Sequence, residues 1–107
     1  MNHTEAKTAG ISINKLLEKN NSKGKFFIKN TRISINFIAR CWRSGLGAEK
    51  IITEYPHIPP AGVYAALAYY FANRETLDAE INVEIEEEKR LRFEHNQREA
   101  ETQKELV

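Results

Sequence analysis

The sequence is poor in the residues that mark several classes of protein. It has one cysteine, Cys41, which excludes an internal disulfide and a cysteine-based zinc cluster. Its longest apolar runs, such as residues 65–72, are far too short to cross a membrane. No apolar segment follows the N-terminal methionine, so we expect no secretory signal, no membrane partner and a cytoplasmic location.

Residues for catalysis and cofactor binding are equally scarce. The three histidines, His3, His57 and His95, lie far apart in the sequence and have no metal-ligand spacing. There is no glycine-rich phosphate loop, and no grouping of serine, histidine and aspartate indicates a nucleophile. We therefore expect no enzymatic activity, no metal and no cofactor.

Charge is unevenly distributed along the 107 residues, although the net charge is only +1. Residues 1–74 contain eleven Lys or Arg against four Glu, a balance of +7. Residues 75–107 contain five Lys or Arg against eleven acidic residues, a balance of −6. A basic region attracts phosphate and an acidic region repels it, and such asymmetry is typical of proteins that bind nucleic acid or another macromolecule.

The first third of the chain predicts a polar arm and a hairpin. Residues 1–23 are mostly polar, and their apolar patch at residues 11–17 either docks on a core or a partner, or forms one turn of helix. Residues 25–35 contain two short apolar runs around a polar centre. This pattern predicts a small β-hairpin with Asn30 in its turn, since asparagine tolerates positive φ.

Three short helices with clear boundaries follow. The first begins after an N-cap at Ser34 and ends at Gly45, which favours the left-handed conformation of a C-terminal cap. The second covers residues 48–54 and stops before Pro56, and the third covers residues 60–73 with a proline in its first turn. The side chains predicted to face inward are Ile35, Ile38, Cys41, Trp42, Ile51, Ile52, Tyr55, Val63, Leu67, Tyr70 and Phe71.

Tight turns between these helices predict a tri-helical bundle, which is the skeleton of a helix-turn-helix domain. Residues 75–107 predict one long acidic helix. The predicted fold is therefore mainly α: a polar arm over 1–23, a helix-turn-helix domain with its hairpin over 24–74, and an acidic C-terminal helix over 75–107.

Three stretches of the sequence resemble a known family. Residues 24–33 (GKFFIKNTRI) resemble the GKP-x-I-x-GTRI opening of the bacterial domain-of-unknown-function family four-three-three. Residues 44–56 (SGLGAEKIITEYP) resemble its SG-x-S-x-EEI-x-x-EYP core, and residues 63–70 (VYAALAYY) resemble its third helix. Pro59 stands where the family usually has serine or threonine, so a helix cap and a phosphate-contacting hydroxyl are missing.

The resemblance implies a homeodomain-like helix-turn-helix fold. It also implies the antitoxin half of a toxin–antitoxin pair, whose toxin is a small PIN-like ribonuclease. In antitoxins of this type a DNA-binding body represses the operon and a terminal segment neutralises the toxin. The basic body and the acidic C-terminal region match that division.

Seven side chains are candidates for DNA contact. Direct base readout requires Arg, Asn or Gln near the start of the third helix, which here offers only Tyr64. Phosphate contact is therefore favoured over sequence reading, and the plain alternative is a solvated basic surface. The candidates are Lys25, Lys29 and Arg32 on the hairpin, Arg40, Arg43 and Lys50 on the first two helices, and Tyr64 on the third.

The aromatic residues of the helices favour a core, or a seam between two copies in a homodimer, over a stacking surface for single-stranded nucleic acid. In the acidic region, the run from Glu84 to Glu88 is either solvated or covers the cationic cleft of a nuclease. The apolar residues expected to anchor that partner are Leu77, Ile81, Ile85, Leu91 and Phe93.

The main hypothesis is an antitoxin-like helix-turn-helix protein that forms a homodimer, binds operator DNA through its body and binds a PIN-like ribonuclease through its C-terminal helix. The alternative is a protein-interaction or adaptor module without DNA-binding activity.

Overall fold

The computed structural model describes residues 15–20 and 24–106, with side chains as far as residue 102. The chain divides into two units, residues 1–74 and residues 75–107. The fold is mainly helical, as predicted. Its elements are β1 (Leu17–Asn20), β2 (Lys25–Ile28), α1 (Ile35–Arg43), α2 (Ala48–Glu54), α3 (Pro60–Ala72) and α4 (Arg74–Leu106).

The hairpin is present, but one of its strands differs from the prediction. β2 pairs antiparallel with β1, whose residues the sequence had placed in the polar arm, and Leu17 lies opposite Ile28. Gly24 has φ +69° and donates its amide to the carbonyl of Asn20 at 2.8 Å, which closes the loop. The rest of the apolar patch, residues 11–14, lies outside the described residues.

The predicted turn at Asn30 is confirmed, since this residue has φ 63°. The amide of Ile28 donates to the carbonyl of Ile33 at 2.9 Å, and Thr31 Oγ1 donates to the carbonyl of Ile28 at 2.8 Å. The segment after the turn forms only an isolated bridge to Phe27, because Ser34 already caps the next helix. A second strand after Asn30 was therefore a wrong prediction.

Both predicted caps of α1 are confirmed. The Ser34 hydroxyl accepts a hydrogen bond from the amide of Phe37 at 3.0 Å. At the other end Gly45 has φ +107°, and the amides of Gly45 and Leu46 donate to the carbonyls of Trp42 and Cys41. These two bonds form a Schellman motif, which satisfies carbonyls that the helix end leaves unpaired.

The body is held together by an apolar core between its elements. The three helices α1, α2 and α3 contact one another, and the hairpin packs on α1 and α3. Gly62 makes a close approach possible, because a Cβ atom at that position would lie 2.5 Å from Cγ2 of Ile28. The most deeply buried apolar side chains of this unit are Ile28, Ile35, Ile38, Ile51, Ile58, Val63 and Tyr70.

The second unit is the long helix α4, which begins at Arg74, one residue before the start of the predicted helix. Ion pairs three and four residues apart link Arg90 to Glu87 and Glu94, and His95 lies 2.9 Å from Glu99. Such pairs support a helix locally, without the need for a core.

Candidate nucleic-acid and partner interfaces

The hairpin and the turn after it carry three of the basic candidates. Lys29 and Arg32 are exposed and flank the turn at Asn30, whereas Lys25 is half-buried. Arg32 and Glu18 both line a cavity of about 410 Å³. Glu18 Oε2 accepts a hydrogen bond from the amide of Asn30 at 3.2 Å, so a carboxylate sits beside the cations. Among the predicted phosphate contacts of this region, Lys29 and Arg32 have exposed side chains.

The other basic candidates lie on α1 and α2. Arg40 is half-buried and Arg43 is exposed, and both belong to the last turn of α1, where a positive charge favours the helix dipole. Lys50 Nζ lies 3.4 Å from Glu54 Oε2 in an exposed pair on α2. These positions suit long-range attraction of phosphate more than a defined binding pocket.

The helix α3, which is the third of the body, is poorly equipped to read bases. None of its 13 residues is charged, and Tyr64, with 52% of its surface exposed, is its only exposed side chain with a polar group. Its first turn lacks the amides of Pro59 and Pro60, while the amides of Gly62 and Val63 donate to the carbonyl of Pro59. This helix start therefore offers little to a phosphate, even though helix N-termini ordinarily bind anions.

Aromatic side chains cluster between α1 and α3. The ring of Trp42 lies 4.9 Å from that of Phe71 and 5.9 Å from that of Tyr70, measured between centroids. The guanidinium of Arg74 lies 4.9 Å from the centroid of Trp42, a cation–π contact that the sequence analysis missed. Tyr70 is fully buried as predicted, but Phe71 is 46% exposed, which contradicts its placement in the core and leaves the alternative of a seam between two copies as a prediction.

Two neighbouring aromatic contacts fix other parts of the body. Phe26 of β2 lies 4.9 Å from Tyr69, which joins the hairpin to α3. Phe37 and Tyr55 meet edge to face at 5.4 Å. The side chains of Phe26, Phe37, Tyr55 and Tyr69 are half-buried, so these rings serve packing more than an open stacking platform.

Cys41 is an inert thiol of the packed interior. Only 8% of its surface is exposed. Burial raises the pKa of the Cys41 thiol, and the opposing effects of a hydrogen bond with Tyr55 and of the charge on Arg40 are smaller. The thiol therefore stays protonated at neutral pH, which disfavours reactivity.

The five apolar anchors predicted on α4 do not share one surface. Leu77 and Ile81 are buried and Ile85 is half-buried, whereas Leu91 and Phe93 are 54% and 60% exposed. Successive residues of an α-helix are about 100° apart around its axis. Leu91 and Phe93, which are two residues apart, therefore point to nearly opposite sides of the helix. A partner that contacts one side of the outer part of α4 therefore meets Leu91 or Phe93, but not both.

Within residues 15–20 and 24–106, no group of three or more His, Cys, Asp or Glu residues is placed to hold a metal ion. In the same part of the chain, every helix is too short or too polar to span a bilayer.

A three-helix body with a preceding hairpin and a following charged helix defines a small, mainly helical class of protein. Residues 17–70, half of the chain, match the model of the family described as "Protein of unknown function (DUF433)", and the chain belongs to this family.

A solved structure has the same fold. It is the crystal structure, at 2.00 Å resolution, of a DUF433 member protein from Anabaena variabilis ATCC 29413. The two chains are 23% identical, the match covers 76% of each, and the TM-score is 0.56. No similar protein is found among the curated proteins.

Proposed function

We propose that this protein is an antitoxin-like regulator with two binding units. Its body, a homeodomain-like helix-turn-helix bundle, contacts the phosphate backbone of operator DNA. Its acidic C-terminal helix binds a cationic protein, for which a PIN-like ribonuclease is the partner that the family resemblance implies.

The observation that carries this proposal is the separation of charge between the two units. Residues 1–74 have a balance of +7 and residues 75–107 a balance of −6, and the division between the two units falls at the same residue, Arg74. Because one surface cannot attract both a polyanion and a cationic cleft, two oppositely charged units suit two different partners.

The geometry favours backbone contact over base readout. Exposed cations lie on the hairpin turn and on α1, outside the helix that enters the major groove in helix-turn-helix proteins. That helix, α3, offers only the hydroxyl of Tyr64 to base edges. Binding through phosphates depends steeply on salt and hardly on sequence.

The apolar character of α3 favours a second candidate, a protein-interaction or adaptor module that binds no DNA. An exposed helix face with Tyr64 and Phe71 and without charge is more typical of a protein interface than of a nucleic-acid interface.

Fluorescence anisotropy with the full chain separates these candidates. The titration uses the duplex found upstream of the gene and a scrambled duplex of equal length, over a series of salt concentrations. Equal affinities that fall steeply with salt mean phosphate contact alone and would contradict recognition of an operator sequence. A clear preference for the upstream duplex indicates base readout. No binding at about 50 mM salt supports the second candidate, the adaptor module.

The second half of the proposal requires a PIN-like ribonuclease encoded by an adjacent reading frame, and such an enzyme, once purified, is the test. The purified chain should inhibit RNA cleavage by that enzyme. Leu91→Ser and Phe93→Ser alter opposite sides of α4, so one should weaken inhibition and the other should act as its control. Full inhibition by both variants would contradict an apolar anchor at either position.

A further inference from the structure

Both faces of α3 are apolar, the exposed face as well as the buried one. Val63, Ala66, Leu67 and Tyr70 are buried, while Ala61, Tyr64, Ala68 and Phe71 are exposed on the other side. A surface helix normally carries charged or polar side chains on its outer face, and a helix that is apolar all round is normally covered.

The exposed face continues beyond α3. The ring of Phe71 contacts that of Trp42 on α1 at 4.9 Å, and Trp42 is itself only half-buried. The apolar surface therefore extends from the middle of α3 to the end of α1. A contiguous apolar patch of this kind on a small protein marks a site of protein association.

The spacing of the face makes it complementary to itself. Tyr64, Ala68 and Phe71 lie at positions i, i+4 and i+7, in one line along the helix with the small residue between the two rings. In an antiparallel pair of such helices centred on Ala68, Tyr64 of one copy lies opposite Phe71 of the second copy. The alanines at the crossing point allow the two backbones to approach closely.

The lack of charge on α3 also favours a second copy of this chain as the partner that covers the exposed face. A partner that covers the α3 part of this face must be uncharged there, because α3 has no charged group that could pair with a buried charge. DNA phosphates find no cation on α3, since the guanidinium of Arg74 lies at the far end of the face, over Trp42. The exposed part of α4 carries charges in each of its turns. A second α3 has the required uncharged surface. We propose that this chain forms a symmetric dimer through antiparallel packing of its α3 helices.

Self-association through α3 requires neither DNA nor a ribonuclease, and so it goes beyond the proposed function. One helix face is smaller than the roughly 800 Å² per partner of a standard interface. We therefore expect a reversible dimer with a dissociation constant in roughly the micromolar range.

Sedimentation equilibrium of the full chain, from about 1 to 100 µM, tests the dimer. Tyr64→Glu and Phe71→Glu should each weaken dimerisation at least about tenfold, since aromatic anchors at an interface centre carry much of its affinity. Both residues are half-exposed, so the variants should keep their circular dichroism spectrum. Phe93→Glu makes the same change on α4 and should leave the dimer unchanged.

A monomeric wild-type chain at about 100 µM overturns the proposal. Equal weakening by Phe93→Glu and Phe71→Glu also overturns it, because the effect would then follow added charge and not the α3 face.

Disulfide cross-linking tests the antiparallel arrangement. Ala68→Cys places two thiols at the crossing point, and oxidation should give a covalent dimer. In the same arrangement two cysteines from Ala61→Cys lie roughly 21 Å apart along the helices and cannot react. The wild-type chain is the control for the buried Cys41. Cross-linking of both variants to the same extent, or of Ala61→Cys alone, contradicts this arrangement.

Discussion

The body and the C-terminal helix are stabilised in opposite ways. The body keeps charge outside and places seven large apolar or aromatic side chains, including Ile38 and Tyr70, almost wholly out of water. Most side chains of α4 are exposed, and its outer half is supported by ion pairs between neighbouring turns. The chain therefore combines a packed body of fixed shape with a helix, α4, that presents a long charged surface.

This contrast also suits the different tasks that we propose for the two units. A packed body can present cations and an apolar face in fixed positions, which suits DNA backbone contact and self-association. An exposed helix with acidic side chains in successive turns can follow a cationic cleft over a long distance.

The largest expected effect comes from the core of the body. Ile38→Ala removes most of a side chain with no exposed surface, and it should lower the free energy of unfolding by about 3 kcal/mol, because the cavity cannot fully close. Urea unfolding followed by circular dichroism measures this loss. The control, Leu91→Ala on α4, should cost less than about 0.5 kcal/mol. Similar losses of unfolding free energy in both variants would contradict the view that the body and α4 are stabilised in opposite ways.

Ile81→Ala tests how far α4 depends on buried contacts, since Ile81 is fully buried although it belongs to this charged helix. We expect a loss of about 2 kcal/mol and a lower melting temperature. Glu80→Ala, one residue away and exposed, is the matched control. An unchanged melting temperature for Ile81→Ala would mean that the whole of α4 is stabilised locally.

The cap of α1 should have a smaller effect. Ser34→Ala removes the acceptor of the hydrogen bond from the amide of Phe37 and should cost about 1 kcal/mol. Ser34→Asp retains an acceptor and should recover most of the loss. Thermal melting of the three proteins measures the difference, and equal melting temperatures would show that the cap contributes nothing to stability.

The smallest effect is expected from Arg90→Ala. The carboxylates of Glu87 and Glu94 raise the pKa of Arg90, and the variant loses both of these exposed ion pairs. Helical circular dichroism should fall slightly at low salt, and the difference should vanish at high salt because exposed pairs are screened. Arg92→Ala removes the same charge and is the control. A difference that persists in high salt would indicate a role other than ion pairing.

Local signals were sufficient to predict most helix boundaries. Ser34, Gly45 and Pro60 act through caps and backbone preferences that depend only on near neighbours, and the structure confirms all three. The strand at residues 17–20 was not predicted, because its sequence LEKN has two exposed charged residues in its centre and no apolar alternation.

Features that depend on tertiary contact could not be predicted. Phe71 was placed inside because α3 is apolar on all sides, so its periodicity does not reveal which face is covered. The approach of Gly62 to Ile28 and the stacking of Arg74 on Trp42 join residues that are distant in sequence. For the candidate interface, the sequence located the charges, whereas only the structure revealed that Glu18 lies beside Arg32.

The most direct test of the proposed division of tasks reverses charge in one unit at a time. Lys29→Glu with Arg32→Glu changes the body, and Lys89→Glu with Arg92→Glu makes the same change in net charge on α4. Anisotropy with one DNA duplex at about 50 mM salt compares both variants with the wild-type chain. We predict that the body variant loses at least about tenfold in affinity, while the α4 variant stays close to wild type. Equal losses, or a loss confined to the α4 variant, would contradict the assignment of nucleic-acid binding to the body.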